Sequence, residues 1–107
     1  MKASVPFEKH HLEFLRDPER AQAYLEVALE EYATDHNTSA LLLALKDIAA
    51  AQGGLGKLAQ QTNLNRAHIY KALSREGNPR LDTLEKILNS LGFRLSVEPL
   101  AREKQKA

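Results

Sequence analysis

Residues 55–74 read LGKLAQQTNLNRAHIYKALS, and the reading of this stretch decides the fold. Leu58 and Ala59 mark the buried face of one short helix, and Ile69, Ala72 and Leu73 mark that of a second. Leu64 falls between them, where its side chain plugs the angle. This spacing predicts two helices joined by a tight turn, a helix-turn-helix. Ala59 is small because the second helix crosses close above it. Asn63 falls where the chain reverses and a residue often needs positive φ, for which Asn is the best choice after Gly. Asn65 caps the second helix by accepting a backbone N–H two or three residues on, so that helix begins at Arg66. Its exposed positions are then Arg66, Ala67, His68, Tyr70 and Lys71, a set that donates hydrogen bonds, stacks and meets phosphate.

An αα-hairpin with a polar outer face would satisfy the same spacing, and charge shifts the balance toward a nucleic-acid partner. Residues 55–80 hold five basic side chains (Lys57, Arg66, Lys71, Arg75, Arg80) against Glu76 alone, a local net of +4. Residues 12–37 hold seven acidic side chains against Arg16 and Arg20, a local net of −5. The whole-chain charge of +1 thus conceals a strongly polarised molecule.

A chain of 107 residues is large enough for one modest core and too small for two. With 43% apolar and only 6% aromatic residues, that core is expected to be Leu, Ile and Ala packed between helices. The absence of cysteine excludes disulfides and thiolate metal sites and is compatible with a reducing cytoplasm. The longest apolar run, 40–45, is far below the roughly 18 residues of a membrane span, so a soluble cytoplasmic protein is expected. No cofactor is expected. Adjacent His10 and His11 invite a metal reading, but neighbours on a helix point about 100° apart and no third ligand is near, which favours two solvated histidines.

Taken in order, residues 1–7 read as an extended arm with Val5 and Phe7 as anchors, and 8–15 as a short helix with Leu12 and Leu15 on one side and Phe14 beside them. Asp17-Pro18 is a helix start, an Asp cap followed by Pro at the first position with Glu19 complementing the dipole. Ala21, Tyr24, Leu25, Ala28, Leu29 and Tyr32 continue that helix to about residue 33. Its other face carries Glu19, Glu26, Glu30 and Glu31, either a solvated face or a docking surface for a basic partner. Residues 39–52 form the expected central helix on Leu41, Leu42, Leu45, Ile48 and Ala49, ended by Gly53-Gly54. Residues 75–80 are a turn in which Gly77 takes positive φ and Pro79 stops the preceding helix. Leu81, Leu84, Ile87, Leu88 and Leu91 define the last helix, stopped at Gly92. Residues 93–98 change to a period of two, a strand closed by Pro99, and 100–107 read as a disordered charged tail. The expected organisation is an N-terminal arm and acidic helix (1–37), a helix-turn-helix domain with terminal strand (38–99) and the tail.

With those residues placed, the chain resembles the Cro/phage-repressor-like antidote proteins of bacterial addiction modules, antitoxins encoded beside a small ribonuclease-like toxin. The resemblance spans nearly the whole chain and is carried by AYLEVALEE (23–31), ALKDIAAAQGG (44–54), LAQQTNLNRAHIYKALS (58–74), EGNP (76–79) and LDTLEKILNSLGFRLSVEP (81–99). It implies an all-α, five-helix repressor-like domain that binds DNA, represses its own operon and neutralises a toxin. Two positions depart from the family pattern. Asn63 stands where Gly is usual. Arg80 stands where a Ser or Thr cap would open the last helix, leaving the cap lost or supplied by Asn78, at roughly 1 kcal/mol by the usual cost of a missing cap. An arginine retained there is expected to face phosphate.

The leading reading is therefore a dimeric, sequence-specific DNA-binding antitoxin and autorepressor of a palindromic operator. Lys57, Lys71, Arg75 and Arg80 would neutralise phosphate, Arg66, Ala67, His68 and Tyr70 would read bases, and Asn65 and Asn78 complete the contact set. Phe93, Leu95 and Val97 would face the helical core with Arg94 and Ser96 outward. The unpaired edge of this strand would then join two copies, the rivals being an edge reserved for the toxin or a dimer made by a crossing of the last helices. A stand-alone phage-type regulator and a helical interaction module without DNA binding are the alternatives. An enzyme has the least support, because the four histidines have no carboxylate or nucleophile at motif spacing.

Overall fold

The computed structural model describes residues 4–100, with side chains from residue 9 onward. Six helices run in order: α1 (Ser4–Leu15), α2 (Pro18–Asp35), α3 (Thr38–Ala51), α4 (Leu55–Thr62), α5 (Arg66–Ala72) and α6 (Leu81–Ser90). The all-α expectation holds. The five-helix count does not, because residues 1–37 contribute α1 and α2 and residues 38–99 contribute four helices.

Local chemistry sets most of the boundaries. Asp17 accepts the Arg20 N–H at 3.0 Å with Pro18 at the first position of α2. Asn37 accepts the Ser39 N–H at 2.8 Å and opens α3. That helix closes in a Schellman arrangement, with the Gly54 N–H on the Ala49 carbonyl at 2.8 Å and Gly53 at φ 125°, a backbone that few residues other than glycine accept. The same pattern ends α6, where Phe93 N–H reaches the Leu88 carbonyl at 2.8 Å and Gly92 has φ 98°.

α3 is the central element, packed on α1, α2 and α4, while α4 also packs on α5 and α6. The fully buried side chains Leu15, Leu45, Ile48, Leu58, Ile69, Leu73 and Ile87 come from both ends of the chain and form a single core. Each large aliphatic buried in this way contributes about 1.5–3 kcal/mol. α2 adds Ala21, Leu25 and Ala28. The acidic helix is thus part of the same hydrophobic unit as the helix pair α4–α5.

Several expectations are corrected. α1 begins at Ser4, so residues 4–7 are helical and not an extended arm. Pro6 is tolerated because the first turn of a helix has no intrahelical use for its missing N–H. The anchoring expected of Val5 and Phe7 lies outside the described side chains, as does the disorder expected of residues 101–107. Leu29 and Leu81, assigned to buried stripes, are 46% and 70% exposed. Gly77 is not at positive φ. Glycine is needed there because a Cβ would run into the Ala72 carbonyl oxygen.

The described residues contain no strand. A strand needs a ladder, and among the described residues of one copy no second segment pairs with residues 93–98. Phe93 packs against the core, but Leu95 and Val97 do not face it as expected, being 42% and 94% exposed.

Candidate nucleic-acid interface

The turn between α4 and α5 is built from three side chains. Asn63 takes the left-handed backbone expected of it, φ 64° and ψ 21°. Thr62 is buried, donates its hydroxyl to the Leu58 carbonyl at 2.9 Å and accepts the Leu64 N–H at 3.3 Å. Asn65 Oδ1 accepts the His68 N–H at 2.7 Å, and α5 begins at Arg66 as the cap predicts. Leu64 then packs against the core from within the turn. Ile69 and Ala72 anchor α5 from beneath, with Leu73 closing its end. The arrangement presents Arg66, Ala67, His68, Tyr70 and Lys71 to solvent on one short rigid helix.

These exposed residues divide between two sides of α5. On one, Arg66 Nη2 donates to the Tyr70 hydroxyl at 3.3 Å, with the guanidinium 5.9 Å from the ring centroid. This i, i+4 pair orders two long side chains beside α4. On the other side a cleft between α5 and the 75–80 turn is lined by Asn65, Ala67, His68, Lys71, Asn78 and Arg80. Lys57 lies on α4, and Arg75 faces a separate groove with Ser39, Leu43 and Lys46. Lys46, a lone base in an apolar helix, carries no sequence signal for this surface, and only packing brings it beside Arg75.

Arg80 opens α6 with no side-chain cap, and Asn78 does not replace it. Asp82 does so in part, accepting the Thr83 N–H at 2.8 Å. Its carboxylate also lies 3.5 Å from Arg80 Nε. Both side chains are well exposed, so water screens the pair and leaves Arg80 free to exchange partners.

A family model described as "probable addiction module antidote protein" matches residues 7–99, nearly the whole chain. The chain belongs to this family of addiction module antidotes. It is also 35% identical over 86 residues to a protein of Haemophilus influenzae (strain ATCC 51907 / DSM 11121 / KW20 / Rd) that is described as uncharacterized. That match covers 80% of this chain and 84% of the relative. No solved structure matches the chain. An antidote implies a toxin, so a cognate toxin is its partner.

Away from α5 the antidote contains a polar cluster that its sequence did not disclose. Tyr24 on α2 donates its hydroxyl to Asp47 Oδ2 on α3 at 2.9 Å, and His11 Nε2 on α1 lies 3.3 Å from the same oxygen. The His11 and Tyr24 rings meet edge to face at 5.1 Å. Burial, then the hydrogen bond and charge of Asp47, pushes the Tyr24 hydroxyl from 10.0 up to about 12. His11 is therefore not a solvated histidine, and its carboxylate partner lies 36 residues away, beyond any motif spacing. Among the described residues no group of three or more His, Cys, Asp or Glu is placed to hold a metal ion. No described helix is long and apolar enough to cross a membrane.

Proposed function

We propose that this antidote is a sequence-specific DNA-binding protein, of the repressor-like helix-turn-helix type, that represses its own operon and neutralises a small ribonuclease-like toxin. The observation that carries the DNA-binding part is the outer surface of α5. Arg66, Ala67, His68, Tyr70 and Lys71 are all exposed there, with no acidic side chain on that helix. In the major groove Arg66 reads a base edge, steadied by Tyr70, while Ala67 and His68 face neighbouring base pairs. Lys57, Lys71, Arg75 and Arg80 neutralise phosphate, and Asn65 and Asn78 contribute backbone and sugar contacts. The ribonuclease-like nature of the toxin follows from the family resemblance alone.

One α5 covers half of a site, so the repressor acts as a dimer on a palindromic operator. The contact is assigned to residues 93–97, where Val97 is 94% exposed and the backbone has no ladder partner among the described residues. Pairing with the same segment of a second copy supplies that ladder and brings Arg94 opposite Glu98. The reading assigns no catalysis to the chain and places it in the cytoplasm beside its operon.

The test is co-purification with the toxin of its module, followed by a gel shift on the promoter the two genes share. Retention of the toxin and a discrete shift that survives competitor DNA are expected. A stand-alone regulator would shift DNA without a toxin, and an interaction module would hold the toxin without shifting DNA.

A further inference from the structure

We infer that the toxin docks in the groove between α2, α6 and residues 93–98, with basic side chains on the acidic file of α2. This rests on the antitoxin reading above and adds the location and chemistry of the contact. Buried Leu25, Leu45 and Leu88 and half-buried Leu41, Leu84 and Phe93 make the groove floor apolar. Its two lips carry Leu29, 46% exposed, and Leu95, 42% exposed. Two large aliphatics half open to water on facing lips mark a surface with unburied area still to give.

The charge beside the groove selects the occupant. Glu19, Glu26 and Glu30 follow one another at intervals of seven and four residues. At about 100° per residue they lie within roughly 40° of one another around the helix, and Glu26 itself lines the groove. Among the described residues none of the three forms an ion pair; Glu26 only accepts from Gln22 at 3.3 Å on its own helix. Three exposed carboxylates in a file beside an apolar floor fit an amphipathic basic segment, with apolar side chains inward and Lys or Arg along the rim. A second copy fits less well. The pairing proposed above for residues 93–97 joins backbone edges, whereas a two-fold contact across the groove itself would bring acidic α2 toward acidic α2.

The groove and the α5 surface use different elements, α2 packing on α1 and α3 while α5 packs on α4. Toxin bound at α2 therefore leaves the DNA-reading residues uncovered, and toxin, antidote and operator form one complex.

The experiment titrates purified full-length antidote with its module's toxin by calorimetry, and with operator DNA by fluorescence anisotropy. The charge reversal E26K/E30K is expected to weaken toxin binding about 100-fold and to leave operator affinity unchanged. Leu29→Asp is expected to weaken toxin binding at least about tenfold. Glu31→Lys is the control on the same helix, about 140° around from Glu26, and should change toxin affinity by no more than about twofold. All four glutamates and Leu29 are exposed, and matching thermal melts confirm that the variants fold. Toxin binding by E26K/E30K at wild-type strength, or an equal loss in Glu31→Lys, overturns the assignment. Unchanged toxin affinity with an altered sedimentation coefficient in E26K/E30K overturns it in favour of a second copy. Failure of the wild-type antidote to bind the toxin overturns the antitoxin reading itself.

Discussion

Thr62 and Asn65 aim α5 through four hydrogen bonds around a three-residue turn, so small changes there have large local effects. Thr62→Val keeps the shape but strands the Leu64 N–H, and a loss of about 1–3 kcal/mol is expected in chemical denaturation. Asn65→Ala removes a helix cap and is expected to cost about 1 kcal/mol in the same assay. Tyr24 gives a separate test through pH. Its hydroxyl holds its proton to about 12 in the folded chain against 10.0 for an unperturbed tyrosine. In that window the folded state binds more protons than the unfolded state, so stability is full below 10 and falls as pH rises toward 12. Melting temperatures across this range should fall more steeply for the wild type than for Tyr24→Phe. Parallel curves would show that burial and Asp47 do not hold the phenol in its neutral form.

At the scale of the element, α5 separates two kinds of contact. Arg66→Ala is expected to lose about 1–3 kcal/mol on the preferred sequence and to relax specificity at one position. Lys71→Ala is expected to weaken all sequences alike and to lower the salt slope by about one. Competition binding against a set of single-base variants of the operator distinguishes the two patterns. Gly77→Ala should destabilise the chain, read as a lower melting temperature, because the added Cβ meets the Ala72 carbonyl oxygen that ends α5. What was legible in the sequence is what is local. Asp17-Pro18, Asn63, Asn65, Gly53 and Gly92 act within a few residues of themselves and carry their own signals. Gly77 looked like a turn glycine because positive φ is the usual reason for one, and the true reason, a close carbonyl, exists only once α5 is in place. The strand at 93–98 failed for a similar reason, since alternation records a preference and a ladder needs a partner.

At the scale of the whole molecule, the core was legible in kind but its unity was not. His11, Tyr24 and Asp47 are separated by 13 and 23 residues, yet they pin α1, α2 and α3 together. The groove lips Leu29 and Leu95 likewise come from opposite ends of the chain, which is why periodicity assigned Leu29 to the core. The dimer is the next level up. Val97 does not line the groove, so Val97→Pro disturbs the proposed pairing edge while sparing the docking floor. Sedimentation should then show a folded monomer with weak DNA binding, whereas a dimer of unchanged affinity would move the contact to the helical faces.

The central claim is that the basic surface around α5 binds operator DNA, and the salt dependence of that affinity tests it most directly. Lys57, Lys71 and Arg75 from each of two copies predict that the logarithm of the association constant falls against the logarithm of salt with a slope of about −5, or about −7 if both Arg80 side chains also meet phosphate. Operator DNA should stay tighter than a scrambled duplex at every salt concentration. A slope near zero, or equal affinity for the two duplexes, would contradict the account.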